Sequence, residues 1–286
     1  MPLFNQSQTK KIISFALTAG EIATKFFLEK NFEIKKKSDD SEVTSADIVV
    51  SEFLREKLAQ EFPQIPVICE EGNLREAGDI FFLIDPIDGT SSFISNNVEF
   101  AINIALVQNK KAVFGLIYAP LFEGGKMIFS DENNKVKILS FLASSLERSF
   151  EDLMSFSSDA ELIISSARLR RPRMTGLQII TSSRTKDIDA EKYLTQFHPE
   201  FLKNFSVEKL ASAIKFFRIL EGKADIYLHF RKSMEWDSAA GQALVELLGG
   251  KVKNLFFNQK KFAIGERLSY KKLSFENPPF VVFPNP

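Results

Sequence analysis

The segment Phe81-Phe82-Leu83-Ile84-Asp85-Pro86-Ile87-Asp88-Gly89-Thr90 constrains the fold more than any other stretch of the chain. Its four apolar residues read as a buried strand that delivers Asp85 at its end. Pro86 fixes φ and stiffens the exit. Asp88 lies three residues on, so a turn aims both carboxylates at one point, with the Ile87 carbonyl between them as a further oxygen ligand. Gly89 permits close approach of the backbone, and the N–H groups of Gly89 and Thr90 suit a phosphate oxygen. Taken alone, the segment also fits a Pro-Asp-Gly turn with solvated acids.

Other carboxylates stand at the ends of apolar elements. They are Asp47, Glu70-Glu71 after Val67-Ile68-Cys69, and Asp237 after Trp236. Hard cations such as Mg²⁺ take oxygen ligands and keep several waters. Carboxylates held at element ends but open to solvent on one side meet that need. An isolated Asp at a helix start is commonly an N-cap. Here Asp237 is followed by Ser-Ala-Ala-Gly, which lets a helix pack closely behind a site.

Periodicity predicts helices over 8–30 and 45–62, with an exposed lysine-rich loop over 35–42 between them. Strands are predicted at 67–69, 80–84, 99–108, 112–118 and 126–130. Residues 131–160 are polar, Ser-rich and without clear period. The chain is therefore divided there, into an N-terminal half (1–150) carrying most of the acids and a C-terminal half (151–286) carrying Asp237. The second half alternates: strands at 161–165, 178–181 and 224–230, and helices at 188–197, 207–221 and 237–248, the last stopped by Gly249-Gly250. The expected class is α+β in the first half and α/β in the second.

Lys+Arg and Asp+Glu both number 37, and zero net charge argues against a general grip on nucleic acid or an anionic membrane. A single cysteine excludes an internal disulfide. The N-terminal residues lack a signal-peptide apolar stretch, and no window approaches the roughly 18 apolar residues of a membrane span. A cytoplasmic address is expected. The 29 phenylalanines are expected to fill the core. Cys69 reads as a buried, inert thiol. His198 reads as a surface turn, and His229 closes a strand, where strand-end packing and a substrate contact both stand open. Arg168, Arg170, Arg171 and Arg173 read as a solvated basic loop.

The two motifs DPIDGT (85–90) and Trp236-Asp237-Ser-Ala-Ala-Gly241, with the upstream Glu-Glu pair, resemble the signatures of the inositol monophosphatase superfamily over about residues 44–250. Within it the chain is most similar to the bacterial 3′(2′),5′-bisphosphate nucleotidases. The similarity lies in Asp40–Asp47, in Glu99-Phe-Ala-Ile-Asn-Ile-Ala-Leu106, in Gly115-Leu-Ile-Tyr-Ala-Pro120 and in Ser212-Ala-Ile-Lys-Phe216. Departures stand at Ser91-Ser92, where that branch usually has Lys-Glu, and near Arg231 and Lys232, which replace an expected Gly and Pro.

The resemblance implies a five-layered αβαβα sandwich and a lithium-sensitive phosphomonoesterase using two or three Mg²⁺ ions. It implies metal ligation by Glu70, Asp85, the Ile87 carbonyl, Asp88 and Asp237. Asp47, Thr90 and Glu70 are the implied catalytic residues, with Thr90 and Asp47 orienting the attacking water. Gly89, Thr90, Ser91, Ser212, Lys215 and Asp237 are the implied substrate contacts. The expected substrate is a small nucleotide bisphosphate, and the protein a monomer or homodimer. The alternatives are an inositol or sugar phosphatase of the same superfamily, and a non-catalytic regulatory or RNA-associated protein on the same fold.

Overall fold

A computed structural model describes residues 3–37, 40–72, 78–141, 162–166, 176–258 and 261–283. The division placed at residue 150 and the basic run of Arg168 to Arg173 lie outside the described residues.

Two helices open the chain. In α1 (Gln6–Glu29), Ile12, Ala16, Ala19 and Ala23 recur on one face and are fully buried. In α2 (Ser45–Glu61) the buried stripe is Val50, Leu54 and Leu58. Both lie on a seven-stranded sheet ordered β3 (Val67–Cys69), β4 (Ile80–Asp88), β5 (Ala101–Gln108), β6 (Lys111–Ala119), β7 (Lys126–Ser130), β8 (Val136–Phe141) and β9 (Leu162–Ser166). Side chains on β4 alternate. Phe82 and Ile84 face the helix pair, while Phe81 and Leu83 face the interior of the molecule. The outer core is rich in phenylalanine: Phe4, Phe62, Phe82 and Phe114 form one ring cluster, and Phe27, Phe93 and Phe100 another. Most phenylalanines do fill core, but Phe256 and Phe257 are exposed on an edge hairpin.

A six-stranded sheet forms the second half. Its order is β11 (Phe205–Leu210), β10 (Leu177–Ser182), β12 (Ile226–His229), β15 (Phe280–Phe283), β13 (Lys251–Asn258) and β14 (Lys261–Arg267). Between the sheets lie α5 (Ile214–Leu220) and α6 (Glu235–Leu247), and α4 (Asp187–Phe197) covers the far face. The result is a five-layered αβαβα sandwich with three cores. The small residues after Asp237 work as expected. A Cβ on Gly241 would sit about 2.4 Å from the Phe216 ring, so only glycine admits this approach of α6 to α5.

Four expectations require correction. Residues 207–221 are not one helix. Phe205–Leu210 is an edge strand, the chain turns at Ser212 (φ 51°), and the helix starts at Ile214. The alternating half-buried and exposed residues of Phe205–Glu208 are a period-two signal that the following apolar run masked. Residues 131–160 contain the strand β8. The loop over 35–42 includes a hairpin pairing β1 (Ile34–Lys36) with β2 (Glu42–Thr44). The strand ending in the acidic motif runs on to Asp88 rather than stopping at Ile84.

Candidate active site

The acids converge because β4 is irregular. Asp85 pairs with Asn103 on β5, but Asp88 pairs with Ala101, so one extra residue is inserted between them. In a regular strand, residues three apart point to opposite faces. The bulge, placed at Pro86-Ile87 where no ladder N–H is available from proline, turns both carboxylates to one side. Asp237 enters from α6, where it is the third residue of the helix and accepts the Met234 N–H at 2.8 Å. Oxygens of Asp85, Asp88 and Asp237 fall within 4.8 Å of one another.

Each acid is held by a neighbour. Asp88 Oδ2 accepts the Asn103 amide at 3.1 Å and the Ala213 N–H at 2.5 Å. Asp85 Oδ1 accepts the Ile87 N–H at 3.1 Å. Burial and the negative charges of Glu70, Asp88 and Asp237 hold the Asp85 carboxyl well above the usual range. Burial pushes Asp88 up to about 6, against the pull of Lys215. Asp237 is likewise raised, by burial and then by Asp88 and Glu70. A divalent cation would cancel this repulsion, and the donor set is all oxygen, so these residues fit Mg²⁺.

Asp47 and Thr90, expected as a pair from the resemblance, are hydrogen-bonded to each other. Asp47 sits in the first turn of α2. Its Oδ2 accepts the Thr44 N–H at 2.8 Å and the Thr44 hydroxyl at 2.5 Å. Its Oδ1 accepts the Thr90 hydroxyl at 3.2 Å, and Thr90 Oγ1 also lies 3.2 Å from the Ile87 carbonyl. One hydroxyl proton serves one acceptor at a time, and the carboxylate is the stronger. Gly89 has φ 98°, and a Cβ there would meet the Glu99 carbonyl at 2.8 Å, so the turn into α3 (Thr90–Ile94) requires glycine.

Asp88, Gly89, Thr90 and Asp237 line one cleft of about 560 Å³, together with Glu70, Ser91, Ser182, Arg184, Ser212, Lys215, Tyr227, His229 and Arg231. Ser212 and Lys215 do not share a helix face as their spacing suggests. Ser212 precedes α5, and the Lys215 ammonium donates to the Ser212 carbonyl from an almost fully buried position. Burial brings Lys215 down to about 8, although Asp88, Asp237 and Glu99 favour its charge.

Three residues here escaped the sequence reading. Lys37, in the stretch read as exposed loop, reaches Glu70 at 2.9 Å and Glu71 at 2.5 Å. Asn103 supports Asp88, and its signal was present: one amide inside an otherwise apolar strand. Arg184 stands in a Ser-Ser-Arg-Thr turn with no comparable signal. Two of the residues set aside behave as expected. Burial pushes the Cys69 thiol up to about 11, which leaves it a poor nucleophile. His229 closes its strand packed in place, stacked on Phe280 with its Nδ1 3.0 Å from the Tyr227 hydroxyl, and it also lines the cleft.

The chain is similar to known proteins over most of its length. The chain is 28% identical over 265 residues to the 3′(2′),5′-bisphosphate nucleotidase CysQ of Buchnera aphidicola, covering 91% of this chain and 89% of the relative. It is 29% identical over 279 residues to the protein of the same name from Salmonella typhimurium, covering 96% and 98%. The crystal structure of CysQ from Bacteroides thetaiotaomicron, itself described as a bacterial member of the inositol monophosphatase family, matches with a TM-score of 0.72 at 27% identity over 99% of both chains. The sequence model of the inositol monophosphatase family matches residues 5–271, and the chain therefore belongs to that family.

Proposed function

We propose that this chain is a Mg²⁺-dependent phosphomonoesterase that removes the 3′(2′)-phosphate from adenosine 3′,5′-bisphosphate-type nucleotides. The observation that carries the reading is the convergence of Asp85, Asp88 and Asp237 beside the cleft-lining Gly89-Thr90 turn, whose Thr90 hydroxyl donates to Asp47. The names of the CysQ relatives supply the substrate class.

Glu70, Asp85, the Ile87 carbonyl, Asp88 and Asp237 would hold two or three Mg²⁺ ions. When bound, these supply positive charge to the phosphoryl and leaving oxygens and make water more acidic. The amides of Gly89 and Thr90 hold a phosphate oxygen, because the first amides of a helix have no carbonyl partner within it. Thr90 donates to Asp47, so its oxygen lone pairs are left to accept from, and orient, the attacking water. A proton leaving that water passes to Thr90 as the Thr90 proton moves to Asp47. Burial raises the Asp47 carboxyl, which favours that acceptance. Ser91, Ser212 and Lys215 would contact substrate. In this reading the half from 1 to 150 supplies most metal ligands and the half from 151 to 286 supplies Asp237 and specificity. The same reading carries a cytoplasmic address and a monomeric or homodimeric state.

The test is phosphate release with Mg²⁺ from adenosine 3′,5′-bisphosphate, inositol 1-phosphate and a sugar phosphate. The bisphosphate should give the highest kcat/KM, with Li⁺ inhibiting at limiting Mg²⁺. A preference for inositol 1-phosphate would reassign the substrate, and no hydrolysis by the folded, Mg²⁺-loaded protein would support a non-catalytic role.

A further inference from the structure

We propose that Arg184 reads the second, non-reacting anionic group of the substrate, and that the Ser91 hydroxyl holds it in place. This deepens the phosphomonoesterase reading and rests on it. Arg184 Nη2 donates to Ser91 Oγ at 2.9 Å, across the cleft between the β10–α4 turn and the turn that follows Asp88. Both residues are exposed at the cleft mouth.

The mount beneath Arg184 is rigid. The Thr185 N–H donates to the Ser182 carbonyl at 2.9 Å, and the Thr185 hydroxyl bonds that of buried Thr181 at 2.9 Å. Thr181 in turn donates to the Leu228 carbonyl on β12 at 2.8 Å. The Ser183 N–H donates to the Leu210 carbonyl at the end of β11, at 3.2 Å. The turn is thus tied to both strands that flank it, and the side chain is aimed before any ligand arrives.

Among the side chains described, Arg184 has no carboxylate partner, and its contact with Ser91 is to a neutral hydroxyl that uses one of its N–H donors. A guanidinium has five, in a fork that matches phosphate. Lys232, also at the mouth, is by contrast paired with Glu276 at 2.6 Å.

Position separates the two cations of the cleft. Lys215 is 4% exposed and faces Asp88 and Asp237, so it serves a group on the floor. Arg184 lies outward of Thr90, on its Ser91 neighbour, where the floor groups do not reach. A substrate whose reacting phosphate sits over the acids presents its remaining anion to this mouth.

The test compares kcat/KM for adenosine 3′,5′-bisphosphate with that for adenosine 3′-monophosphate, using Mg²⁺-loaded enzyme. Arg184→Gln should lower the ratio about tenfold or more. The fall should appear in KM, since the contact is equal in ground and transition states. Ser91→Ala should give a smaller fall in the same direction, because the charge remains and only its anchor is lost. An unchanged ratio in Arg184→Gln, or a fall in Arg231→Gln without one in Arg184→Gln, overturns the assignment of Arg184 while leaving the phosphatase reading intact. A wild-type enzyme that hydrolyses both esters but is indifferent to the 5′-phosphate overturns the Arg184 assignment together with the bisphosphate substrate, whereas no hydrolysis of either overturns the phosphatase reading itself.

Discussion

Asp85 and Asp88 lie three residues apart on one strand, yet their carboxylates meet, with oxygens within 4.8 Å, because a bulge at Pro86-Ile87 turns both to the same face. The arrangement is costly without a counter-cation, since burial and mutual repulsion raise both groups. Strain of this kind at a site is retained where the function needs it.

Asp88→Asn tests the consequence directly. The Asn oxygen can still accept from Asn103 and Ala213, so the fold should persist, and the melting temperature in EDTA should not drop because one repelling charge is gone. The lost charge should cost activity on the order of a thousandfold or more, since charge stabilisation by metal is worth several kcal/mol. Near-native turnover would remove Asp88 from the site.

The Thr90–Asp47 hydrogen bond predicts a split between two conservative changes. On the proposed mechanism Thr90→Ala removes the hydroxyl assigned to orient the water, and it should lower kcat by roughly a hundredfold or more, within the range of positioned proton transfer. Thr90→Ser keeps the hydroxyl and should retain activity within about tenfold. Equal losses in both would show that the methyl group's packing, and not the hydroxyl, matters.

How much of this was visible in the chain follows from where each signal is stored. Asp85, Asp88 and Gly89 were legible because sequence neighbours build that turn. The buried face of α1 was legible because its period is local. Lys37 was not, since its partners Glu70 and Glu71 lie 33 and 34 residues away and nothing in a lysine-rich loop says which lysine will fold inward. Arg184 finds Ser91 across 93 residues, a pairing that only the packed sheets create. The edge strand Phe205–Leu210 was misread because Leu210 at its end, with Ala211 and Ala213 beyond it, merged with the helix that follows.

The raised acids also set the pH dependence of the apoprotein. A carboxyl whose folded pKa lies above the unfolded value of about 3.9 keeps protons that the unfolded chain releases. Its contribution is fully present below that value and is lost as pH rises through the folded pKa, which for Asp88 is about 6 and for Asp85 and Asp237 also lies well above the usual carboxylate range. In EDTA the melting temperature should therefore fall between about pH 4 and pH 7. A fixed Mg²⁺ concentration that is a hundredfold its Kd at pH 8 should restore about 2.7 kcal/mol there, worth several degrees, and less at pH 5, where protons on the acids compete with the ion. Equal increments at both pH values would mean that the cluster does not bind the ion.

Lys215 should act on metal and substrate in opposite directions. Its ammonium favours charge on Asp88 and Asp237, but it also repels a cation bound to them. It offers a positive charge to an anion on the cleft floor. Lys215→Met keeps the apolar stem that packs in this buried position and removes only the charge. The Mg²⁺ concentration for half-maximal activity should fall, and the KM for the phosphate ester should rise, each by about threefold to tenfold. Because burial lowers Lys215 to about 8, the wild-type KM should rise as pH passes that value and the ammonium loses its proton, whereas the Lys215→Met KM should stay flat there. Parallel titrations of Mg²⁺ and substrate from pH 7 to pH 9 measure all of this. If both constants move the same way, or the wild-type KM shows no inflection that the variant lacks, then Lys215 supports the fold of the floor and does not meet the substrate.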